Sequence, residues 1–314
     1  MQISVASSSL ISVPIVEAII SSRHELASII THPDRKTGRG QTEVANPLAI
    51  WAQERGILVA KPADISEINK HLLASQPQLV ITASYGKLIP PELLHGPRFG
   101  WLNLHFSLLP RWRGAAPVQW AILEGDEVSG ISIFKLDKGM DTGPIYHQEE
   151  IHIGDEANTE ELLEIMANRG GEAIISVIET IARGEKPKNQ PLAGITLAPK
   201  ISKEMGEINW ADPAIMIMRK IRALSQKPGT YSHLRGMKVS IHQAQIVDLP
   251  LDSHHIGEVW SDGSRTFIQS GDLVLELGEV TPAGKKRMSA ADYLRGIRIE
   301  PGEKFETPVD GANG

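Results

Sequence analysis

Short apolar runs alternate with helical periodicity through the first 150 residues, and this rhythm restricts the fold more than any other property of the chain. Ile3–Ala6, Leu26–Thr31, Ile57–Ala60, Leu79–Thr82, Trp101–His105 and Ile131–Leu136 read as strands. Helical patterns fall between them at Pro14–Ser21, Leu48–Glu54 and Ile65–Ala74. The run Leu79-Val-Ile-Thr82 shows no polar alternation, as expected of a strand covered on both faces in a parallel sheet. The expected fold is therefore an open, mostly parallel α/β sheet of Rossmann-like type, with its ligand site at the carboxyl ends of the strands. No G-x-G-x-x-G follows the first strand, which argues against a dinucleotide cradle.

A long helix is expected over Thr159–Ala182, broken by Lys186-Pro-Lys-Asn-Gln-Pro191 and followed by a connector at Ala198–Lys203. Asp212-Pro213 should cap a helix over Ala214–Leu224. Beyond Pro228-Gly229 the texture changes. Strands at Lys238–Val247, Gly257–Trp260, Thr266–Ser270 and Leu273–Val280 are joined by Asp-Gly and Ser-Gly turns with no helices between them. That pattern predicts a small C-terminal β-barrel, OB-like, and divides the chain into 1–204 and 205–314. Residues 301–314 read as a loose polar tail.

Composition narrows the function classes. The 314 residues include no cysteine, which excludes a thiolate nucleophile, a cysteine-ligated metal and a disulfide scaffold. No apolar run reaches the roughly 18 residues needed to cross a bilayer. The opening Met1-Gln-Ile-Ser-Val-Ala reads as a first strand, so a cytoplasmic protein is expected. A formal net charge of −6 gives no global attraction for nucleic acid, so any such contact must rest on local basic patches.

Chemistry concentrates in Asn103-Leu-His105-Phe-Ser107-Leu-Leu-Pro110-Arg-Trp-Arg113 and in Asp137-Lys-Gly-Met-Asp141-Thr-Gly143. Asn103 and His105 alternate with Leu102 and Leu104, so a strand points both polar side chains to one face. Asp141 follows the strand at Ile131–Leu136 in a Gly-flanked loop. An Asn amide can bond the oxyanion of a tetrahedral adduct. An imidazole can carry the proton, and a carboxylate can orient the imidazole or hold a water. Taken singly, each is more simply a local backbone partner or a turn residue. A zinc site would need three or four clustered ligands, and only His105 and Asp141 suggest themselves. No G-x-S-x-G elbow surrounds Ser107.

Asn103-x-His105, Ser107-Leu-Leu-Pro110 and Asp141-Thr-Gly together resemble the signature of the formyltransferases that use 10-formyltetrahydrofolate. The resemblance implies that Asn103, His105 and Asp141 are the catalytic trio. It implies that Ser107, Leu108, Leu109, Pro110, Tyr85 and Gly86 line the folate site and that no metal is required. Pro110–Pro117, Thr31–Gly40 and Pro282–Ala290 are similar to the members whose acceptor is initiator methionyl-tRNA. That likeness implies tRNA contacts at Arg35, Lys36 and Arg39 and at Lys285, Lys286 and Arg287, with Lys203 and Arg222 as further expected contacts. The run 219–238 contains six basic residues, Arg219, Lys220, Arg222, Lys227, Arg235 and Lys238, and no acidic one. A monomer is expected. Two features depart from the family pattern: Ala6-Ser-Ser-Ser-Leu10 replaces its Gly-Thr-Pro type turn, and Phe106 replaces a small residue. The rival readings are a small-amine or amino-sugar formyltransferase and a non-catalytic folate- or RNA-binding module.

Overall fold

The computed structural model describes residues 1–37, 42–225, 227–250 and 254–308. They form two compact units. The first holds Met1–Pro117, Glu127–Ile153 and Glu161–Pro199; the second holds Val118–Asp126, Gly154–Glu160 and the chain from Lys200 onward.

The apolar runs of the first unit become a seven-stranded sheet. In chain order the elements are β1 (Gln2–Ala6), α1 (Val13–Ile20), β2 (Glu25–Ile30), and a hairpin of β3 (Arg35–Thr37) with β4 (Thr42–Val44). Then come α2 (Pro47–Gln53), β5 (Val59–Ala60), α3 (Ile65–Ser75), β6 (Leu79–Thr82), α4 (Pro91–Leu94), β7 (Trp101–His105) and β8 (Arg113–Gly114). After α5 (Pro117–Glu124) follow β9 (Val128–Lys135), β10 (Ile145–His152), α6 (Thr159–Ala182) and β11 (Leu197–Ala198). The sheet order is β10-β9-β7-β6-β1-β2-β5. All neighbours from β7 to β5 are parallel. Local chemistry sets the helix starts. Asn46 caps α2 by accepting from Leu48 N (2.8 Å), and Asp64 caps α3 by accepting from Glu67 N (2.9 Å), with Glu67 bonding back to Ala63 N. Ala6, Ile30, Val80 and Trp101 from the strands pack with Ile68, Leu72, Leu93 and Leu94.

Two points differ from the sequence-based expectation. Strand β10 lies outside the expected elements, because it is an edge strand that is buried only at Ile145 and then alternates half-buried and exposed positions in a run of His, Gln and Glu. Strand β9 lies antiparallel to β7, with Leu102 opposite Lys135, so Asp141 arrives on a returning loop and not at the end of a parallel neighbour.

In the second unit α7 (Ala214–Ala223) precedes β12 (Thr230–Leu234), β13 (Met237–Ile241), β14 (Ala244–Val247), β15 (Val259–Ser261), β16 (Thr266–Gln269), β17 (Val274–Leu277), β18 (Glu279–Pro282), β19 (Met288–Ser289) and α8 (Ala290–Ile297). The strands form two antiparallel sheets, β12-β13-β18-β19 and β14-β17-β16-β15. The expected strands 238–247 and 273–280 each break in two, at His242-Gln243 and Gly278, where the chain bends from one sheet into the other. Both sheets cover one core that includes Trp210, Ile217, Ile241, Leu275, Tyr293 and Phe305. The expected loose tail is corrected over residues 303–306. Phe305 bridges Leu234 and Lys304 bridges Glu258, so this segment joins the outer edges of both sheets. The cap on α7 also differs from expectation: Asp272 Oδ1, not Asp212, accepts from Ala214 N (2.7 Å). No helix among the described residues is long and apolar enough to cross a membrane.

Candidate active site

A cavity of 530 Å³ opens beyond β6 and β7, and Asn103, His105 and Asp141 all line it. Thr82, the last residue of β6, donates from Oγ1 to Asn103 Oδ1 (2.9 Å). The same hydroxyl lies 3.1 Å from the Leu102 carbonyl, and with its single proton on the shorter contact the amide turns Nδ2 toward the cavity, where Nδ2 has no acceptor among the described residues. His105 is 5% exposed, and its Nε2 lies 2.8 Å from the Trp112 carbonyl. A carbonyl only accepts, so Nε2 carries the proton and donates, and the neutral ring presents Nδ1 as a lone pair. Asp141 Oδ2 stands 3.8 Å from that Nδ1. This is beyond hydrogen-bond range, so Trp112 orients the imidazole and Asp141 does not. The Asp141 carboxylate instead accepts from Gly114 N (2.8 Å). Its loop is tied off by Asp137 Oδ1, which accepts from Gly139 N and from Thr142 Oγ1.

The residues expected to line a folate site divide into two groups. Tyr85 and Gly86 line the cavity, together with Thr82, Leu88, Phe106 and Met140. The Tyr85 ring is buried, its hydroxyl has no partner among the described residues, and burial pushes its pKa up to about 12. Ser107, Leu108, Leu109 and Pro110 are not part of the cavity lining. Ser107 Oγ donates to Arg111 O, Leu109 packs with Phe134 and Ile145, and Ser132 and Gln148 hold the segment through its backbone. The contribution of Thr82 was missed because a lone Thr ending an apolar strand carries no pattern; its partner is 21 residues away.

The basic residues also separate. Arg35 and Lys36 stand on β3, opposite Val44 and Glu43, while Arg39 lies outside the described residues. Lys203, Lys285 and Lys286 are exposed. Arg287 is exposed too, but its guanidinium donates to Glu279. Arg222 is half-buried and donates to the Ala157 carbonyl at 3.2 Å; burial, with Arg219 nearby, lowers its pKa.

Residues 2–178 match the formyl transferase family model, and residues 200–298 match the model for the formyl transferase C-terminal domain. The methionyl-tRNA formyltransferase of Salinispora tropica is 39% identical over 306 residues, covering 96% of this chain and 99% of that protein. Among solved structures, methionyl-tRNA formyltransferase from Clostridium thermocellum shares the fold at a TM-score of 0.58 and 17% identity, covering 80% of this chain and 95% of that one. HypX from Aquifex aeolicus, solved in complex with tetrahydrofolic acid, shares it at a TM-score of 0.66 and 17% identity. All of this chain aligns there, spanning 50% of HypX. Two family models across most of the chain and near full-length identity of this level place the chain in the methionyl-tRNA formyltransferase family.

Proposed function

We propose that this enzyme transfers the formyl group of 10-formyltetrahydrofolate to the α-amine of methionine carried on initiator tRNA. The observation that carries this reading is the convergence of an oriented amide, a tautomer-fixed imidazole and a carboxylate on one cavity. The α-ammonium first loses a proton, with His105 Nδ1 as the acceptor and Asp141 holding the charge beside it. The amine nitrogen then bonds to the formyl carbon while the carbonyl π pair moves onto oxygen. Asn103 Nδ2 donates to that oxyanion. As the carbonyl re-forms, the bond to N10 breaks and N10 takes the proton held by His105; the Nδ1 so vacated accepts the second proton of the former amine nitrogen and later releases it to solvent, leaving the neutral formamide and free tetrahydrofolate. Tyr85 and Gly86 form the folate wall in this reading. The second unit binds the tRNA through Lys203, Lys285, Lys286 and Arg287, with Arg222 securing its local structure, while Arg35, Lys36 and Arg39 meet the aminoacyl end.

The test is formylation of charged initiator tRNA against charged elongator tRNA, with 10-formyltetrahydrofolate as donor. Preferential formylation of the initiator is expected. Formylation of free small amines but of neither tRNA would overturn the acceptor assignment. Asn103→Ala, His105→Ala and Asp141→Ala should each lose roughly 10²-fold or more in kcat while remaining folded. Wild-type turnover by any two of them would remove the mechanism.

A further inference from the structure

Residues 188–198, the irregular stretch after α6, run along both catalytic loops and bond to each. Gln190 uses every hydrogen-bonding position of its amide there. Its Nε2 donates to the carbonyls of Asp141 and Gly143, each at 2.8 Å, and its Oε1 accepts from Arg113 Nη2 (2.6 Å) and Nε (3.2 Å). Further along, Thr196 Oγ1 accepts from Trp112 N (2.8 Å) and Thr196 O accepts from Arg113 N (2.9 Å). Strand β11 then pairs with β8, and the Ala198 carbonyl passes so close to Gly114 that a Cβ there would stand 2.5 Å from it.

The partners of this strap are the groups that orient the catalytic pair. Trp112 supplies the carbonyl that fixes His105, and Gly114 supplies the N–H that holds Asp141. Asp141 also has φ +54°, a left-handed conformation that a non-glycine residue keeps only when its surroundings impose it. The two Gln190 donors grip the backbone at that position and two residues beyond it. The 3.8 Å spacing of His105 Nδ1 and Asp141 Oδ2 has no direct bond to maintain it, so it depends on what holds each partner separately.

We propose that Gln190 is the positioning residue of the active site, setting where the Asp141 carboxylate stands relative to His105. The proposal rests on the formyl-transfer reading only for its kinetic arm. Gln190→Leu removes all four bonds; Gln190→Glu keeps the acceptors for Arg113 and replaces the donors facing the two carbonyls. Both variants are expected to lose kcat by about 10²-fold, the effect of displacing a catalytic group by roughly 1 Å, with KM for folate and tRNA little changed. If Gln190→Glu restores wild-type kcat, the donors to Asp141 and Gly143 do not matter and the proposal fails. It fails equally if kcat falls only in proportion to a lowered Tm.

A second arm needs no turnover. In ¹⁵N–¹H spectra the Gly114 amide, donating to a carboxylate, is expected downfield in the wild type and shifted upfield in both variants. An unmoved Gly114 resonance overturns the proposal. Absence of formylation by the wild type would instead defeat the functional reading and leave the amide measurement to decide the role of Gln190.

Discussion

Thr82 biases the Asn103 amide through the hydroxyl proton it divides between Asn103 Oδ1 and the Leu102 carbonyl, a softer constraint than the Trp112 carbonyl places on His105. Thr82→Val keeps the shape and deletes the hydroxyl, so Asn103 can present either end of its amide to the cavity, and on the proposed mechanism only Nδ2 serves the oxyanion. We expect kcat at saturating substrates to fall about tenfold, less than the loss from removing an oxyanion donor outright. An unchanged kcat would show that the orientation is set elsewhere. Tyr85 carries a pH signature at the same scale. Its folded pKa is raised by burial to about 12 from an ordinary value of 10. The neutral phenol is therefore favoured in the folded state, and this contribution is fully present below pH 10 and lost as pH rises toward 12. Denaturant midpoints of wild type and Tyr85→Phe should diverge over that window, with the wild type losing more stability; parallel curves would contradict the burial argument. The sequence showed the alternation that puts Asn103 and His105 on one face, and the Gly-flanked loop that delivers Asp141. It did not show Thr82 or Gln190, because their partners lie far along the chain, 21 residues from Thr82 and 47 to 77 from Gln190, and neither belongs to a periodic pattern.

At the scale of elements, α6 is the helix most dependent on a local exception. Gly170 and Gly171 interrupt a run that otherwise favours helix, and the reason is external to it. A Cβ at Gly171 would stand 2.8–2.9 Å from Pro14 Cβ, C and O in α1, and one at Gly170 would meet the Leu104 side chain, which lies between Asn103 and His105 on β7. Gly171→Ala gains about 1 kcal/mol of helix propensity but must displace backbone, and overpacking costs about 1–3 kcal/mol. Net destabilisation is expected in urea melts. A stabilised variant would show that α1 yields without cost. Strands covered on both faces were legible because their residues are apolar throughout, as in Leu79–Thr82. Strand β10 was hidden because half of its face is solvent. The bends at His242-Gln243 and Gly278 were hidden because a continuous apolar pattern does not record where a strand changes sheets. The pairing of residues 303–306 was missed for a related reason: backbone bonds to Gly257, Glu258 and His233 leave no mark on a polar sequence.

For the whole molecule, the formal charge of −6 means that RNA affinity must come from basic groups whose charge is not already spent within the protein. Residue counts in the sequence could not separate these, since partners are assigned by the fold. Lys285 and Lys286 project from the turn between β18 and β19 and are exposed, and each would release counterions on meeting a phosphate. Arg287 beside them is already paired with Glu279, and Arg222 is turned into backbone carbonyls. The combined Lys285→Ala/Lys286→Ala variant should raise KM for charged tRNA, leave KM for the folate unchanged, and flatten the log K against log[salt] slope by roughly 2. Arg287→Ala should flatten it by less, because removing the guanidinium also frees the Glu279 charge. Arg222→Ala should lower Tm by losing its buried carbonyl contacts, with little change in salt slope. Salt titrations of tRNA binding on the three variants would show this ordering. Equal slopes for all three would mean that the phosphate contacts lie on other residues, with the β3–β4 hairpin as the next to be tested.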